Sequence, residues 1–357
     1  MRKLLIIAAV LSQFAVLAWM AIEREWVVRN GRTVYLRTAP VDPTDPMRGA
    51  YVRLEYELST IPKSLCRDGV ASWFKAEEEV YSAAVRDRRV YAEIRLDAEG
   101  VAEIISLSDQ PPAEGLYLRG RANVVHLSTI DVRFGVEAFF MQQDQAKAFE
   151  DLSRTEKAGV PLNREVKVSS RGLAVLTGYR WEPLGITLVL DRPLEESAPP
   201  DGSERRVPSG VRGLTIELKN HGSTPQAIVA GRPELSFRLL PTRPRWDSSD
   251  RPDWVWVGAK SPVAKPKPAD IKLLQPGESH RVHLDLTEPE WFVQKVTSQE
   301  GIGPAISIES LVREWSASFR FEYVPPSPEN AEGLPHADLI RPTALRSRAF
   351  NASGNID

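Results

Sequence analysis

Cysteine is almost absent from this sequence, and charge of neither sign is in excess. Cys66 is the only cysteine among 357 residues, so the chain has no internal disulfide. No histidine stands near it in the sequence, and we interpret it as an inert, half-buried thiol. The 46 Lys and Arg residues against 48 Asp and Glu residues give a net charge of -2. A chain without a basic excess is not drawn onto a phosphate backbone, so we expect no nucleic-acid partner.

Histidine is also scarce, with five in the chain, and His280 and His283 are the only close pair. An offset of three residues allows metal chelation from one face of a helix, but on a strand it points the two side chains to opposite faces. Because Val282, Leu284 and Leu286 alternate around the pair, the pattern predicts a strand. We therefore expect surface histidines, no metal site and no cofactor.

Charged residues are missing from residues 4–22, a stretch of 19 residues. As a helix this stretch is about 28 Å long, close to the thickness of the hydrocarbon core of a bilayer. A cleaved signal peptide is the alternative, but its apolar run is usually shorter and ends in small residues, whereas Trp19 and Met20 are bulky. We therefore predict an uncleaved membrane anchor over residues 1–25, with residues 4–22 in contact with membrane lipid.

The charges that flank this stretch set its expected orientation. Arg2 and Lys3 precede it, and Glu23, Arg24 and Glu25 follow it. By the positive-inside rule, the N-terminus lies in the cytoplasm and the rest of the chain lies outside. The prediction is a single-pass protein of the cytoplasmic (inner) membrane whose bulk is extracytoplasmic.

Residues 26–197 are typical of antiparallel β structure. Apolar and polar residues alternate there in short runs separated by Pro, Gly and Asp, as at Val90, Ala92 and Ile94. Further strands are expected at residues 101–107, 116–127, 135–141, 165–169, 173–179 and 185–190. Residues 72–88 and 143–155 are rich in helix formers instead, and each is predicted to be a short surface helix. The pattern predicts an antiparallel β domain, a sandwich or a barrel, with short helices.

A change of composition separates this domain from a second one. Residues 198–210 combine Pro, Gly, Ser and charged residues and are predicted to be a linker. From residue 211 the alternation resumes, and it predicts an immunoglobulin-like β-sandwich over residues 211–325. Residues 326–357 lack periodicity and are expected to form a mobile tail. The expected class is mainly β, with a single N-terminal transmembrane helix.

Asp42, Asp45 and Glu137 are the carboxylates that would serve a hydrolase. Asp42 and Asp45 each precede a proline, and Asp-Pro initiates turns in which the carboxylate accepts backbone N–H groups. Turn capping is therefore our interpretation of the aspartate pair. A carboxylate-dependent hydrolase remains the alternative.

Tryptophan in the stretch DWVWVGA places Trp254 and Trp256 on one face of a predicted strand. Two exposed, coplanar indoles would form an aromatic platform on which a sugar stacks. Tryptophan is more often buried in a core or an interface, so packing is the favoured interpretation. Glycan binding through this domain is the alternative.

The stretch DPMRGAYVRLEYELS, residues 45–59, combines a proline-broken turn with clear alternation. Gly49 admits the sharp change of backbone direction between the turn and the strand. The face expected to point into the core carries Val52, Leu54, Tyr56 and Leu58. The opposite face is expected to carry Tyr51, Arg53, Glu55 and Glu57. The stretch is thus interpreted as the start of a strand, with Tyr51 on its polar face.

Within this stretch, GAYVRLEY resembles the GDYxxLxY motif that names a family of bacterial membrane-anchored proteins without an established activity. The segments LYLRGRA, at residues 116–122, and RFGVEAFF, at residues 133–140, also resemble this family, over roughly the first half of the chain. The aspartate of the motif is replaced by Ala50. The resemblance implies an anchored extracytoplasmic protein, of a kind often encoded beside polytopic membrane proteins.

No nucleophile, base and orienting group come together in the sequence, so we expect a binding or scaffold role rather than catalysis. The expected partner is a polytopic membrane protein. The residues assigned to the motif and its interface are Arg48, Gly49, Tyr51, Arg53, Leu54, Glu55 and Tyr56.

Overall fold

The computed structural model describes residues 2–38, 51–53, 56–74, 87–97, 99–125, 129–140, 152, 159–191, 210–242, 254–260, 265–297, 301–314 and 317–356. In these residues the chain is mainly β, with antiparallel sheets and a few helices, as the sequence predicts. The chain divides into two compact units. The first comprises Met1–Ala148 and Leu162–Arg180, and the second comprises Phe149–Pro161 and Trp181–Asp357.

The first unit begins with one long helix and continues as strands. Its elements are α1 (Arg2–Asn30), β1 (Arg32–Arg37), β2 (Tyr51–Arg53), β3 (Thr60–Pro62), α2 (Asp68–Ser72), β4 (Arg89–Leu96), β5 (Ala102–Ser108), β6 (Leu116–Val125), β7 (Thr129–Arg133), β8 (Ala138–Phe140), β9 (Leu162–Val168) and β10 (Ala174–Trp181). They form a five-stranded sheet in the order β3-β7-β6-β4-β5, a three-stranded sheet β1-β9-β10 and the pair β2-β8.

Alternation along the strands decides which face of each sheet enters the core of the first unit. Val90, Ala92 and Ile94 of β4 are buried, whereas Arg89 and Arg95 on the same strand are exposed. A strand turns successive side chains to opposite faces, so an apolar residue at every second position buries one face only. The predicted pattern is confirmed here, and it leaves the charged face of the sheet open.

Helix α1 places most of its apolar side chains in solvent. Ile6 and Ile7, Leu11, Leu17 and Trp19 are each more than half exposed, and Val27 near the end of the helix is buried. Neighbouring residues such as Ile6 and Ile7 point to different sides of a helix, so the exposed apolar surface is not confined to one face. Within the part of the chain that the structure describes, none of the helices combines the length and the apolar character needed to cross a membrane.

The second unit is built from short antiparallel sheets. Its elements are β11 (Leu184–Leu190), β12 (Gly213–Asn220), β13 (Gln226–Val229), α3 (Pro233–Ser236), β14 (Phe237–Thr242), β15 (Trp254–Trp256), β16 (Ile271–Leu274), β17 (Ser279–Asp285), β18 (Val293–Thr297), β19 (Gly301–Ile306), β20 (Ser318–Tyr323), α4 (Pro328–Ala331), β21 (Leu345–Arg346) and β22 (Phe350–Asn351). The sheets are β11-β12-β17, β13-β16, β15-β18-β19, and β14-β20-β21 with β22 also on β20.

The boundary between the units falls earlier than the sequence predicts. Strand β11 was expected in the first domain, but it pairs with β12, so that Ile186 lies opposite Leu218 in the core of the second unit. The backbone N–H of Ile186 also donates to the carbonyl of Gly159, at 3.0 Å. Residues 198–209 of the predicted linker lie outside the described residues. The period of a strand reveals its buried face but not the strand with which it pairs, which explains the misplaced boundary.

The segment expected to be a mobile tail instead packs against the second unit. In β22, Phe350 is 1% exposed and lies opposite Phe319 of β20. The rings of Phe350 and Phe321 stack with centroids 5.9 Å apart. Burying a phenylalanine and completing the hydrogen bonds at the edge of β20 together outweigh the entropy of ordering this segment.

The structure describes only part of the other elements predicted in the first domain. The predicted helices at 72–88 and 143–155 lie mostly outside the described residues. Within these two stretches the structure describes the end of α2, the turn after it, Asp87 and Arg88, and a helical Leu152. Tyr56 and Leu58 are buried as expected. The strand does not continue through Leu58, however, because Glu57–Ser59 form a turn of 3-10 helix.

Candidate functional site

The motif segment is described only in part. Strand β2 pairs with β8, placing Tyr51 opposite Phe140 and Arg53 opposite Ala138, but the side chains of β2 lie outside what the structure describes. The remaining predicted residues without a described position are Asp42, Asp45, Arg48, Gly49, Leu54 and Glu55. The expectation that Tyr51 and Arg53 face a partner therefore stays a prediction.

Tyr56, the last tyrosine of the motif, has a structural role. Its side chain is 2% exposed, and its hydroxyl donates a 2.6 Å hydrogen bond to the carbonyl of Val136. Burial raises the pKa of Tyr56 well above its ordinary value, and the nearby Glu137 carboxylate adds to this effect, while Arg164 opposes it. Tyr56 is therefore a neutral phenol that ties the motif to the backbone before β8.

Glu137 caps the turn to which Tyr56 is tied. Its carboxylate accepts the backbone N–H of Phe134, and the N–H of Gly135 at 2.9 Å. The turn needs Gly135, whose φ of +81° lies in the left-handed region that other residues rarely adopt. The structure thus brings together two predicted residues: Tyr56 donates to the carbonyl of Val136, and Glu137 is the next residue along the chain. Both polar groups are used to hold this backbone.

Arg164 on β9 is a residue of this cluster that the sequence analysis did not identify. It is fully buried, and its guanidinium lies 5.2 Å from the ring centroid of Tyr179. Burial lowers the pKa of Arg164, and the nearby Tyr56 and Tyr179 oppose this shift. The signal was present in the sequence, because Arg164 is in phase with the buried Val166 along the strand.

A cleft of about 540 Å³ opens in the first unit and is strongly basic. Cavities of this size commonly hold small molecules. The arginines that line it are Arg24, Arg89, Arg119, Arg121 and Arg133. Asp87 and Glu137 are the carboxylates in its lining, so the walls carry an excess of three positive charges, five minus two.

The register of the five-stranded sheet assembles this cleft. Arg89 of β4 lies opposite Arg121 of β6, and Arg121 lies opposite Arg133 of β7. Arg119 occupies the same face of β6, two residues before Arg121. Gly120 between them is required, because a Cβ atom there would lie 2.5 Å from a methyl group of Val132. Three neighbouring strands thus present arginines directly across from one another.

Asp87 fixes two of these arginines. Its carboxylate pairs with Arg133 at 3.0 Å, and its backbone carbonyl accepts a 2.7 Å hydrogen bond from the guanidinium of Arg121. Among the described residues, neither Arg89 nor Arg119 has a side-chain hydrogen bond or an ion pair. The cleft therefore holds oriented guanidinium groups together with others that are available to a ligand.

Trp254 and Trp256 are packed in the core of the second unit, as favoured from the sequence, and do not form the aromatic platform that was the alternative. Trp254 and Trp256 do share one face of β15, but they are only 4% and 7% exposed. The indole N–H of Trp256 donates to the carbonyl of Glu290 at 2.7 Å, and its ring stacks on Trp291. That face is buried because it supplies much of the aromatic core, so no sugar reaches it.

The histidine pair lies on a strand, as predicted. On β17, His280 is opposite Leu218, whose side chain is in the core, and His283 is opposite Thr215. The two side chains therefore point to opposite faces and do not converge on one ion. His283 lies 3.8 Å from the Asp191 carboxylate.

Cys66 is buried, as a structural thiol would be. Its Sγ donates to the carbonyl of Pro62 at 3.6 Å, and burial raises the pKa of the thiol to about 11. A thiol with this pKa is almost fully protonated at neutral pH and is a poor nucleophile. The interpretation of Cys66 as inert is consistent with this position.

Comparison with known proteins identifies a relationship over the first unit. The family model described as GDYXXLXY protein matches residues 13–178, which include the motif and both segments resembling the family. This match confirms the resemblance seen in the sequence. A search of the curated proteins and a search of the solved structures each found no significant match.

Proposed function

We propose, from the match of residues 13–178 to the GDYXXLXY family model, that this chain is a membrane-anchored binding or scaffold protein and not an enzyme. In this proposal α1 is buried in lipid and the β units are held at the membrane surface outside the cytoplasm. A second membrane protein is the partner. The immunoglobulin-like arrangement of the second unit is part of the proposal, supported by its antiparallel sheets around one aromatic core.

The observation that carries the proposal is the apolar surface of α1. Leu11, Phe14 and Leu17 are 63%, 67% and 62% exposed, and residues 4–22 contain no charge. A helix that is apolar on all sides is stable when every side is covered, as in lipid. Contact of α1 with lipid is the weaker form of the proposal, and a complete span of the bilayer is the stronger form.

Extraction of membranes at alkaline pH tests contact with lipid. The full chain should stay in the membrane pellet, and the double variant Leu11→Glu with Leu17→Glu should move to the supernatant, because two buried carboxylates oppose insertion. The matched control is Val189→Glu with Ile302→Glu, which adds the same two carboxylates at exposed apolar sites of β11 and β19. Wild-type chain in the supernatant would refute the proposal.

Reporter fusions at the C-terminus test the span and its orientation. Alkaline phosphatase fused after residue 357 should be active, and a fluorescent protein that matures only in the cytoplasm should be dark. The reverse result would show that the β units lie in the cytoplasm and would eliminate the extracytoplasmic role.

Photo-crosslinking tests the partner. A photoreactive amino acid at position 51 should form an adduct with one membrane protein, because a tyrosine on the polar face that the sequence predicts would supply contact area at a small cost in rotamer entropy. The same amino acid at position 189, on an exposed site of the second unit, is the control. Equal adducts from both positions, or none from position 51, would remove the motif from the interface.

A further inference from the structure

We propose that the arginine-lined cleft of the first unit is a binding site for a phosphate-bearing anion. This inference goes beyond the proposed function and does not depend on it, because the cleft is formed by the β strands whether or not α1 enters lipid.

The first argument is the cost of the arrangement without a ligand. Arg121 has an arginine directly opposite it on each neighbouring strand, Arg89 on one side and Arg133 on the other. Like charges directly across an antiparallel pair repel, with side chains about 5 Å apart. A bound anion removes this repulsion. The three arginines therefore destabilise the fold when no ligand is present and favour the binding of an anion.

The second argument is the charge balance of the walls. Asp87 neutralises Arg133, and the carboxylate of Glu137 is engaged by the backbone of its own turn. The two carboxylates together do not neutralise the site, because five arginines line it. The charge of a phosphate at neutral pH, about -1.5 to -2, offsets most of the excess of three positive charges.

The third argument is geometric. A guanidinium presents a planar fork of N–H donors that fits two oxygens of one phosphate, and several forks converging from neighbouring strands suit an ion with three or more acceptor oxygens. Asp87 already holds Arg121 and Arg133 in place, which lowers the entropy lost on binding. The anion is therefore expected to lie between these two arginines, with Arg89 and Arg119 completing its contacts.

The location of Arg24 allows two sources of the phosphate. Arg24 lines the cleft and is separated from the uncharged residues 4–22 by Glu23 alone. If α1 lies in lipid, the cleft is at the level of the headgroups and within reach of a phospholipid. The same guanidinium groups would also bind a free phosphate or pyrophosphate, so the experiment must separate the two.

The test is calorimetric titration of the full chain in a neutral detergent with two separate probes. One probe is inorganic pyrophosphate, and the other is a short-chain, water-soluble phosphatidylglycerol, with the matching phosphatidylcholine as its reference. Binding of pyrophosphate identifies a free anion as the ligand, and binding of phosphatidylglycerol alone identifies a lipid headgroup. Either result supports the cleft as the binding site, provided that the cleft variants bind the same probe more weakly.

The variants are Arg89→Gln and Arg119→Gln in the cleft, and Arg95→Gln as the matched control. Arg95 is also exposed on β4 but pairs with Glu103 at 3.0 Å, outside the cleft. Each cleft variant should raise the dissociation constant about tenfold, the value of one charge-assisted contact, and the control should leave it unchanged. Arg119→Lys should lie between wild type and Arg119→Gln, because it keeps the charge and loses the fork.

Two results would overturn the proposal. One is the absence of binding by both probes to a folded wild-type chain. The other is binding that is equally strong in the cleft variants and in Arg95→Gln, which would show that the anion binds elsewhere. Neither result affects the outcome of membrane extraction, so the proposed function is tested independently of the cleft.

Discussion

Replacing Tyr56 by phenylalanine removes one hydroxyl group from the core of the first unit. That hydroxyl donates at 2.6 Å to the carbonyl of Val136, a residue that is itself only 3% exposed. The variant keeps the ring and leaves a buried carbonyl without this donor, which costs about 1–3 kcal/mol. The chain has two units, so this cost must be measured in the first unit alone.

Hydrogen exchange followed by mass spectrometry provides that measurement. Peptides from β6 and β7 should exchange roughly 5- to 150-fold faster in Tyr56→Phe, the factor that corresponds to this loss of free energy. Peptides from β12 report on the second unit and should not change. The control is Tyr91→Phe, which removes the same atom from a partly exposed tyrosine. Exchange in β6 and β7 at the wild-type rate would refute the structural role of Tyr56.

Three further outcomes follow from charge and burial. Arg89→Gln should raise the melting temperature slightly in anion-free buffer, because it relieves the repulsion from Arg121; a lower melting temperature would contradict that repulsion. Cys66 should react slowly with a thiol reagent at neutral pH until denaturant is added, since burial raises its pKa to about 11; equally fast labelling of the folded chain would contradict this. Burial also raises the pKa of Tyr323 from 10.0 to about 12, so the neutral phenol stabilises the second unit fully below pH 10 and this stability is lost as the pH rises through about 12. After division by the intrinsic base-catalysed rate at each pH, exchange in β12 should accelerate across this pH range in wild type and less so in Tyr323→Phe.

The buried faces of the strands were predictable because they depend on local periodicity. Val90, Ala92 and Ile94 on β4, and Phe319 and Phe321 on β20, are buried as their spacing predicts. A period of two residues follows from the geometry of a strand and needs no knowledge of its neighbours. The mainly β class therefore followed from the sequence.

The pairing of strands was not predictable in the same way. Strand β11 crosses the predicted domain boundary to pair with β12, and β22 is too short to show a period, although Phe350 is deeply buried. Trp254 and Trp256 were correctly placed on one face and packing was the favoured interpretation, but the alternation did not reveal that Trp291 is the residue packed against Trp256. In each case the deciding contact is with a residue distant in sequence.

The arginine-lined cleft has the same origin. LYLRGRA and RFGVEAFF each contain arginine and glycine, and nothing in either segment shows that Arg121 and Arg133 lie opposite each other. The register of β6 on β7, which includes an irregularity after Ala122, determines that pairing. A site built across three strands is thus invisible to spacing along one of them.

Tyr56 of the motif is bonded to the same segment that lines the cleft, which gives the motif a structural role there. Tyr56 holds the carbonyl of Val136, and Glu137 holds the N–H groups of Phe134 and Gly135. Phe134, Gly135 and Glu137 form one wall of the cleft. The motif therefore need not contact a ligand to matter for binding, because it fixes the backbone beside Arg133. A cleft of convergent arginines is selective only when its walls are rigid, and these buried hydrogen bonds supply that rigidity.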